Sequence, residues 1–279
     1  MDPLPAHAEI QTQSSPTCPS EDCALLVDIV LQSSDGVIFG AHMKNLAEFS
    51  EAFPRKDSVV VDEDVPILEE SADVLKLMLQ FMHHAPHPSL RNVPFTLLSS
   101  LAEAVEKYTI FSAIELCKVH MSFRAQEHPI DVLVYALRHN YPEIANETAA
   151  LSLSPNHTEF MSKAIAAGLR DSDKLRWFCY RNIWDNARRA GLKRRPSHPK
   201  KTGQAKPSKC ELWEPFIDNV LHAVARENGC EVDEFVAIIN KDALAMKSCS
   251  SCMSGVYTWE MEVVGGFDTG IPLFCDVEI

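Results

Sequence analysis

One run of residues restricts the fold of this chain more than any other: VDIVLQSSDGVIFGAHMKNLAEFSEAFP, residues 27–54. Apolar residues alternate over 25–33 and 36–41 as in two strands, and Ser34, Asp35 and Gly36 between them suit a tight turn in which Gly tolerates positive φ. From His42 the pattern becomes helical, with Leu46, Phe49 and Phe53 on one side and Pro54 as terminator, which predicts a helix over 42–53. A lone hairpin is unstable and must cover one face, so a helix returning at once is the physical solution. Asp28 and His42 fall at the ends of neighbouring strands, where they can satisfy each other or nearby backbone groups. Burial without partners would cost a few kcal/mol, roughly, per group. No nucleophile or ligand set accompanies His42 in the sequence, so its reading is structural.

A short third strand is expected at SVVVDE, 58–63, followed after Ser71 by a helix that is apolar almost all round: Val74, Leu75, Leu77, Met78, Leu79, Phe81 and Met82. Leu97, Leu101, Val105 and Tyr108 mark one amphipathic helix and Ile110, Ile114, Cys117 and Met121 the next, with a break near Thr109 that has no Pro or Gly. Further helices fit 129–140, 142–153, 158–169 and 172–192. Apolar stripes from Trp213 to Val224 and from Val232 to Met246 predict two more. Beyond residue 255, YTWEMEV alternates as a strand would and GGFDTGIP is rich in turn formers. The expected class is therefore α+β: a small three-stranded sheet with surrounding helices, then a mostly α-helical C-terminal region. The expected organisation is a disordered tail over 1–23, an α+β domain over 24–125, a helical extension over 126–187, a basic linker over 188–210 and a helical region over 211–279 whose fold from 255 onward stays open.

The opening run resembles the BTB (POZ) domain, whose pattern is met by Asp28, Gly36, Phe39, Ala41, His42, Leu46, Ser50 and Phe53. The stretch ILEESADVLKLMLQFMHH through VEKYTIFSAIELCKVHM is similar to the remainder of that domain, and HPIDVLVYALRHNYPEIANETA looks like the helical extension of fungal BTB proteins. The likeness covers roughly residues 24–150. One position departs: the family commonly has Arg after the His, where this chain has Met43 and then Lys44. The resemblance implies self-association, and Leu25, Leu26, Val30, Leu46, Phe49 and Phe53 are the candidates for core and dimer interface together.

Other signals compete with this reading. A formal charge of −13 over 279 residues argues against a nucleic-acid or membrane-surface partner for the whole molecule. No signal peptide or membrane-length apolar run is visible, so the nucleus or cytoplasm is expected, with the nine scattered cysteines reduced. The run 188–209 holds nine Lys or Arg and no acid, and Arg188, Arg189, Lys193, Arg194, Arg195, Lys200 and Lys201 make it a candidate nuclear import signal. Cys249 and Cys252 have the C-x-x-C spacing that can wrap one zinc ion, but His222, Cys230 and Cys275, the nearest further ligands, stand at no familiar spacing. FDTG at 267–270 matches the core of an aspartic protease signature without room after Gly270 for that scaffold. With no phosphate loop and no nucleophile–base set, neither catalysis nor a cofactor is expected. The expected function is a homodimeric, BTB-mediated scaffold or regulatory protein that binds other proteins. The alternatives are a substrate adaptor recruiting a cullin-type ubiquitin ligase, or a zinc-binding protein acting through the C-terminal cysteines.

Overall fold

The computed structural model describes residues 16–20, 23–53, 65–153, 157–199, 210–226, 232–264 and 271–279. The chain divides into two compact units, Met1–Ser152 and Leu153–Ile279. That division falls inside the segment 126–187 expected to form one helical extension.

In the first unit, β1 (Ile29–Gln32) pairs antiparallel with β2 (Ile38–Ala41), from Ile29 opposite Ala41 to Gln32 opposite Ile38. Gly36 takes φ +87° in the turn, and the Ser33 hydroxyl donates to Asp35 Oδ1 at 2.5 Å. The same carboxylate accepts the Ala72 N–H at 2.9 Å, so the hairpin turn caps α2 (Ala72–Phe81). These hydrogen bonds, led by that of Ser33, hold the Asp35 carboxyl below its ordinary range. The described sheet has two strands, not the expected three. Gln32 makes only an isolated parallel bridge to Ile67, through Gln32 N–H to Pro66 O (2.9 Å) and Leu68 N–H to Gln32 O (2.7 Å). The segment 58–63 lies outside the described residues.

Helix α1 is Met43–Phe49, shorter than the 42–53 expected, because Ser50 turns extended and its hydroxyl donates to the Tyr108 carbonyl. Phe53 then stacks on the Tyr108 ring, with centroids 4.9 Å apart. The start of α1 is capped from outside, by Asp28 Oδ1 accepting the Met43 N–H at 2.7 Å. Helix α3 (Phe95–Lys107) packs on both α2 and α4 (Phe111–Phe123), and the core includes Leu75, Met78, Leu101, Val105 and Met121. The break without Gly is made by Thr109 in the left-handed region, φ +53°, and Asn140 at +59° does the same between α5 (Pro129–Arg138) and α6 (Pro142–Ala149). Glu106 on α3 ties this second pair down: its Oε1 accepts the hydroxyls of Tyr135 (2.9 Å) and Tyr141 (2.5 Å). Burial, reinforced by that carboxylate, pushes both phenols up.

Part of the segment expected to be a disordered tail is instead docked. The Gly40 N–H donates to Thr17 O at 3.0 Å, and Gln80 Nε2 donates to Pro19 O at 2.9 Å. Gly40 permits this approach, since a Cβ there would stand 2.8 Å from Pro16 O and 2.7 Å from a Val27 methyl. Residues 1–15 lie outside the described residues.

The second unit is helical. Helices α7 (His157–Ala166) and α8 (Asp171–Lys193) meet through Phe160 stacked on Trp177 at 4.2 Å. α8 runs six residues into the segment 188–210 expected to be a linker. Helices α9 (Trp213–Arg226), α10 (Val232–Ala243) and α11 (Ser250–Val264) enclose a core of Trp213, Ile217, Phe235, Ile239 and Trp259. The alternating YTWEMEV is therefore helix rather than strand. Its buried residues continue the series Cys252, Val256, Trp259, Val263, a helical stripe that dominates the local alternation. Phe274 in the 3-10 turn Phe274–Asp276 is fully buried against Tyr180, so the turn packs on α8. Asp268 and the rest of FDTG lie outside the described residues.

Candidate metal centre of the C-terminal unit

Cys249 and Cys252 flank the start of α11. Cys249 is half-buried just before the first helical residue, and its carbonyl accepts the Met253 N–H at 3.1 Å. Cys252, one turn in, is fully buried. The first N–H groups of a helix have no partners within it and favour a thiolate placed before them. The Cys249 thiol is accordingly pulled down to about 6, by the Cys252 N–H first and then by His198, whereas burial pushes Cys252 up.

Two residues absent from the expected ligand set complete the cluster. His198, 8% exposed, brings Nε2 to 3.3 Å from Cys252 Sγ and 4.0 Å from Cys249 Sγ, and Cys210 Sγ stands 3.3 Å from Cys252 Sγ. All four ligand atoms lie within 4.8 Å of one another. Zinc–sulfur and zinc–nitrogen bonds of about 2.3 and 2.0 Å in a tetrahedron imply ligand separations of roughly 3.3–3.8 Å. The donors thus need only small adjustments to close on one ion. Three thiols and an imidazole are the soft, four-coordinate set that selects zinc over magnesium or calcium. The thiols are unbridged, since 3.3 Å is far beyond a sulfur–sulfur bond of about 2.05 Å.

The surrounding packing positions His198. Trp213 Nε1 donates to Pro196 O at 3.2 Å, and the Trp213 ring meets the His198 ring edge to face at 5.5 Å. On α11, Gly255 lets Pro199 and Trp213 come close, because a Cβ would lie 2.6 Å from an atom of each. Gly255→Ala is therefore expected to push the His198 loop off the helix that carries Cys252. Overpacking of this kind costs about 1–3 kcal/mol. A thermal melt of the variant should show a lower midpoint for the C-terminal unit together with weaker metal retention.

The ligand set suggested by the sequence is thus revised. Cys249 and Cys252 are in the cluster. His222 is exposed on α9 beside Asp218 and does not join it, and Cys230 lies outside the described residues. Cys275 belongs to the 3-10 turn and is not in the cluster. His198 and Cys210 escaped notice because they sit at the two edges of the basic run, far in sequence from the C-x-x-C pair. Their one visible signal is a His and a Cys in Pro-rich context, PSHP and KPSKC, bracketing a loop.

The basic run itself is only partly available for an import carrier. Arg195 pairs with Asp218 and Glu214, and Arg194 lies 3.4 Å from Glu262. Arg189 is exposed; Lys200 and Lys201, with the side chains of Arg188 and Lys193, lie outside the described residues. Among the dimer candidates, Leu46 is interior, Val30, Phe49 and Phe53 are half-buried, and Leu25 and Leu26 are exposed at 56% and 91%. Of the resemblance positions, Ala41 and His42 are buried, and His42 Nδ1 hydrogen-bonds Leu26 O at 2.9 Å rather than Asp28. Among the described residues no helix is long and apolar enough to cross a membrane. No family model and no curated protein matches this chain.

Proposed function

We propose that this protein is a non-catalytic protein-interaction module whose C-terminal helical unit is closed by a structural zinc ion. The observation that carries the zinc reading is the convergence of His198, Cys210, Cys249 and Cys252. Four protein ligands leave no open position for water or substrate, which separates a structural site from a catalytic one. The ion would join the loop at 198, the start of the segment leading into α9 and the start of α11.

The interaction reading is supported by large apolar side chains left exposed along the hairpin: Leu25, Leu26, Val27, Val37 and Ile38. Large apolar side chains left in solvent in this number are what a protein-binding face would use. The partner is a second copy of the chain, in keeping with the BTB-like pattern of the opening run, and the protein works as a scaffold or regulator in the nucleus or cytoplasm. The cullin adaptor remains the alternative use of the same dimer. Leu26→Asp is expected to convert a dimer to a monomer at micromolar concentration in light scattering while leaving the circular dichroism unchanged, since the Leu26 side chain is 91% exposed and only its backbone carbonyl is used inside the unit. A wild-type protein that is monomeric throughout that range would contradict self-association. Recovery of a cullin in a pulldown would favour the adaptor.

A further inference from the structure

We propose a second zinc site, in the N-terminal unit, formed by Cys18, Cys23, His42 and His83, which clamps the segment before the hairpin over the outer edge of β2. The four ligand atoms lie within 4.8 Å of one another, with Cys18 Sγ 3.2 Å from His83 Nε2 and Cys23 Sγ 3.2 Å from His42 Nε2. These separations are close to the roughly 3.3–3.8 Å edges of a tetrahedral zinc site. The two histidines come from different elements, His42 from the junction of β2 and α1 and His83 from just beyond α2.

The second ring nitrogens fix the tautomer that a metal site requires. His42 Nδ1 lies 2.9 Å from Leu26 O, and His83 Nδ1 lies 2.9 Å from Leu79 O. A carbonyl can only accept, so each Nδ1 carries the proton and each Nε2 turns a lone pair inward. Two independent elements thus orient their imidazoles in the same way toward one point where two thiols already stand. Both rings are nine-tenths buried or more, at 4% and 8% exposure. Nothing in the sequence announced this, because two of the four ligands fall in a stretch that reads as a polar tail.

The site also explains how that stretch stays in place. Pro16, Thr17, Cys18, Pro19 and Ser20 bring no large apolar side chain. Apart from the thiols and a local Cys23 N–H to Ser20 O bond, the described ties that hold them to the hairpin and α2 are the hydrogen bonds from Gly40 and Gln80. A few such bonds do not offset the entropy of ordering a segment. An ion linking it to His42 and His83 does, and it keeps the outward N–H of Gly40 covered. An uncovered strand edge is a template for pairing with another chain.

Cobalt reconstitution of the full-length protein tests this. Wild type should take two ions per chain, with thiolate-to-cobalt charge-transfer absorption corresponding to five Co–S bonds, two from this site and three from the C-terminal one. The Cys18→Ser/Cys23→Ser variant should take one ion with three Co–S bonds, and Cys249→Ser/Cys252→Ser should take one with two. In the first variant the Gly40 amide should exchange at least tenfold faster, while the Ser33 amide, which donates to Val37 O inside the hairpin, stays protected. The proposal is overturned if wild type shows only the three Co–S bonds of the C-terminal site, or if the Cys18→Ser/Cys23→Ser variant binds as much metal as wild type. The wild-type spectrum needs no variant to fold. A failure of the C-terminal centre alone would leave two Co–S bonds, so the two sites are told apart.

Discussion

Stripping zinc from the full-length protein, or replacing Cys252 by Ser, is expected to melt helices α9 to α11 while the N-terminal unit keeps its core. The apolar core of this region is drawn from three helices, joined at 227–231 and 244–249 and preceded by the stretch 199–212. The four candidate ligands link the chain that precedes α9, at His198 and Cys210, to the start of α11, at Cys249 and Cys252. Structural zinc in small domains contributes an apparent ~10–16 kcal/mol, which is as large as the whole stability of a typical domain at about 5–15 kcal/mol. Cys252 is the most sensitive position, being fully buried in the hydrophobic core as well as adjacent to both Cys210 and His198. Serine there removes a thiolate and leaves a hydroxyl in an apolar surrounding. Circular dichroism should lose a large part of its helical signal, and amide exchange should place the loss in 213–264. Cys179→Ser on α8, outside the cluster, is the control and should leave both signals in place.

Glu106→Ala is expected to destabilise the N-terminal unit by about 3–5 kcal/mol. The carboxylate is largely buried, with 12% of its side chain exposed, and it receives two phenolic hydrogen bonds. Hydrogen bonds to a charged group contribute about 1.5–3 kcal/mol each. Alanine would also leave the hydroxyl of Tyr135, a residue with only 2% exposure, facing a void. Because both tyrosines belong to the α5–α6 pair and Glu106 to α3, the loss should detach that pair first. A denaturant titration should show a lower midpoint, and exchange in 129–149 should rise before that in the helices around α3. Glu106→Gln keeps an acceptor for one phenol and should fall between the two.

The hairpin, the near-continuous apolarity of α2 and the periodicity of α3 to α10 were legible because each is a local pattern. The hairpin turn was written in Asp35 and Gly36, and the helices were written in side chains spaced at three and four. What escaped depends on distant residues. The third strand expected at 58–63 lies outside the described residues, and the bridge that β1 makes instead, from Gln32 to Ile67, is one that no local alternation encodes. YTWEMEV misled because its alternation competes with a longer helical stripe whose first member, Cys252, lies outside the window. The docked segment 16–20 was invisible because its order comes from Gly40, Gln80 and two histidines elsewhere in the chain, and a polar composition alone cannot report that. The metal clusters share this property. C-x-x-C is a local half-site, whereas His198 and Cys210 lie some forty to fifty residues away and His198 is held near it by the close approach of Pro199 to Gly255.

The most direct test is native mass spectrometry of the purified full-length chain with its helicity followed in parallel. The expected result is zinc bound to each chain and, on adding a chelator, loss of that mass together with loss of helicity in the C-terminal unit. A chain that emerges free of metal after growth in zinc, with the same helicity and the same melting midpoint before and after chelation, would contradict the claim that thiolate–imidazole chemistry closes this fold.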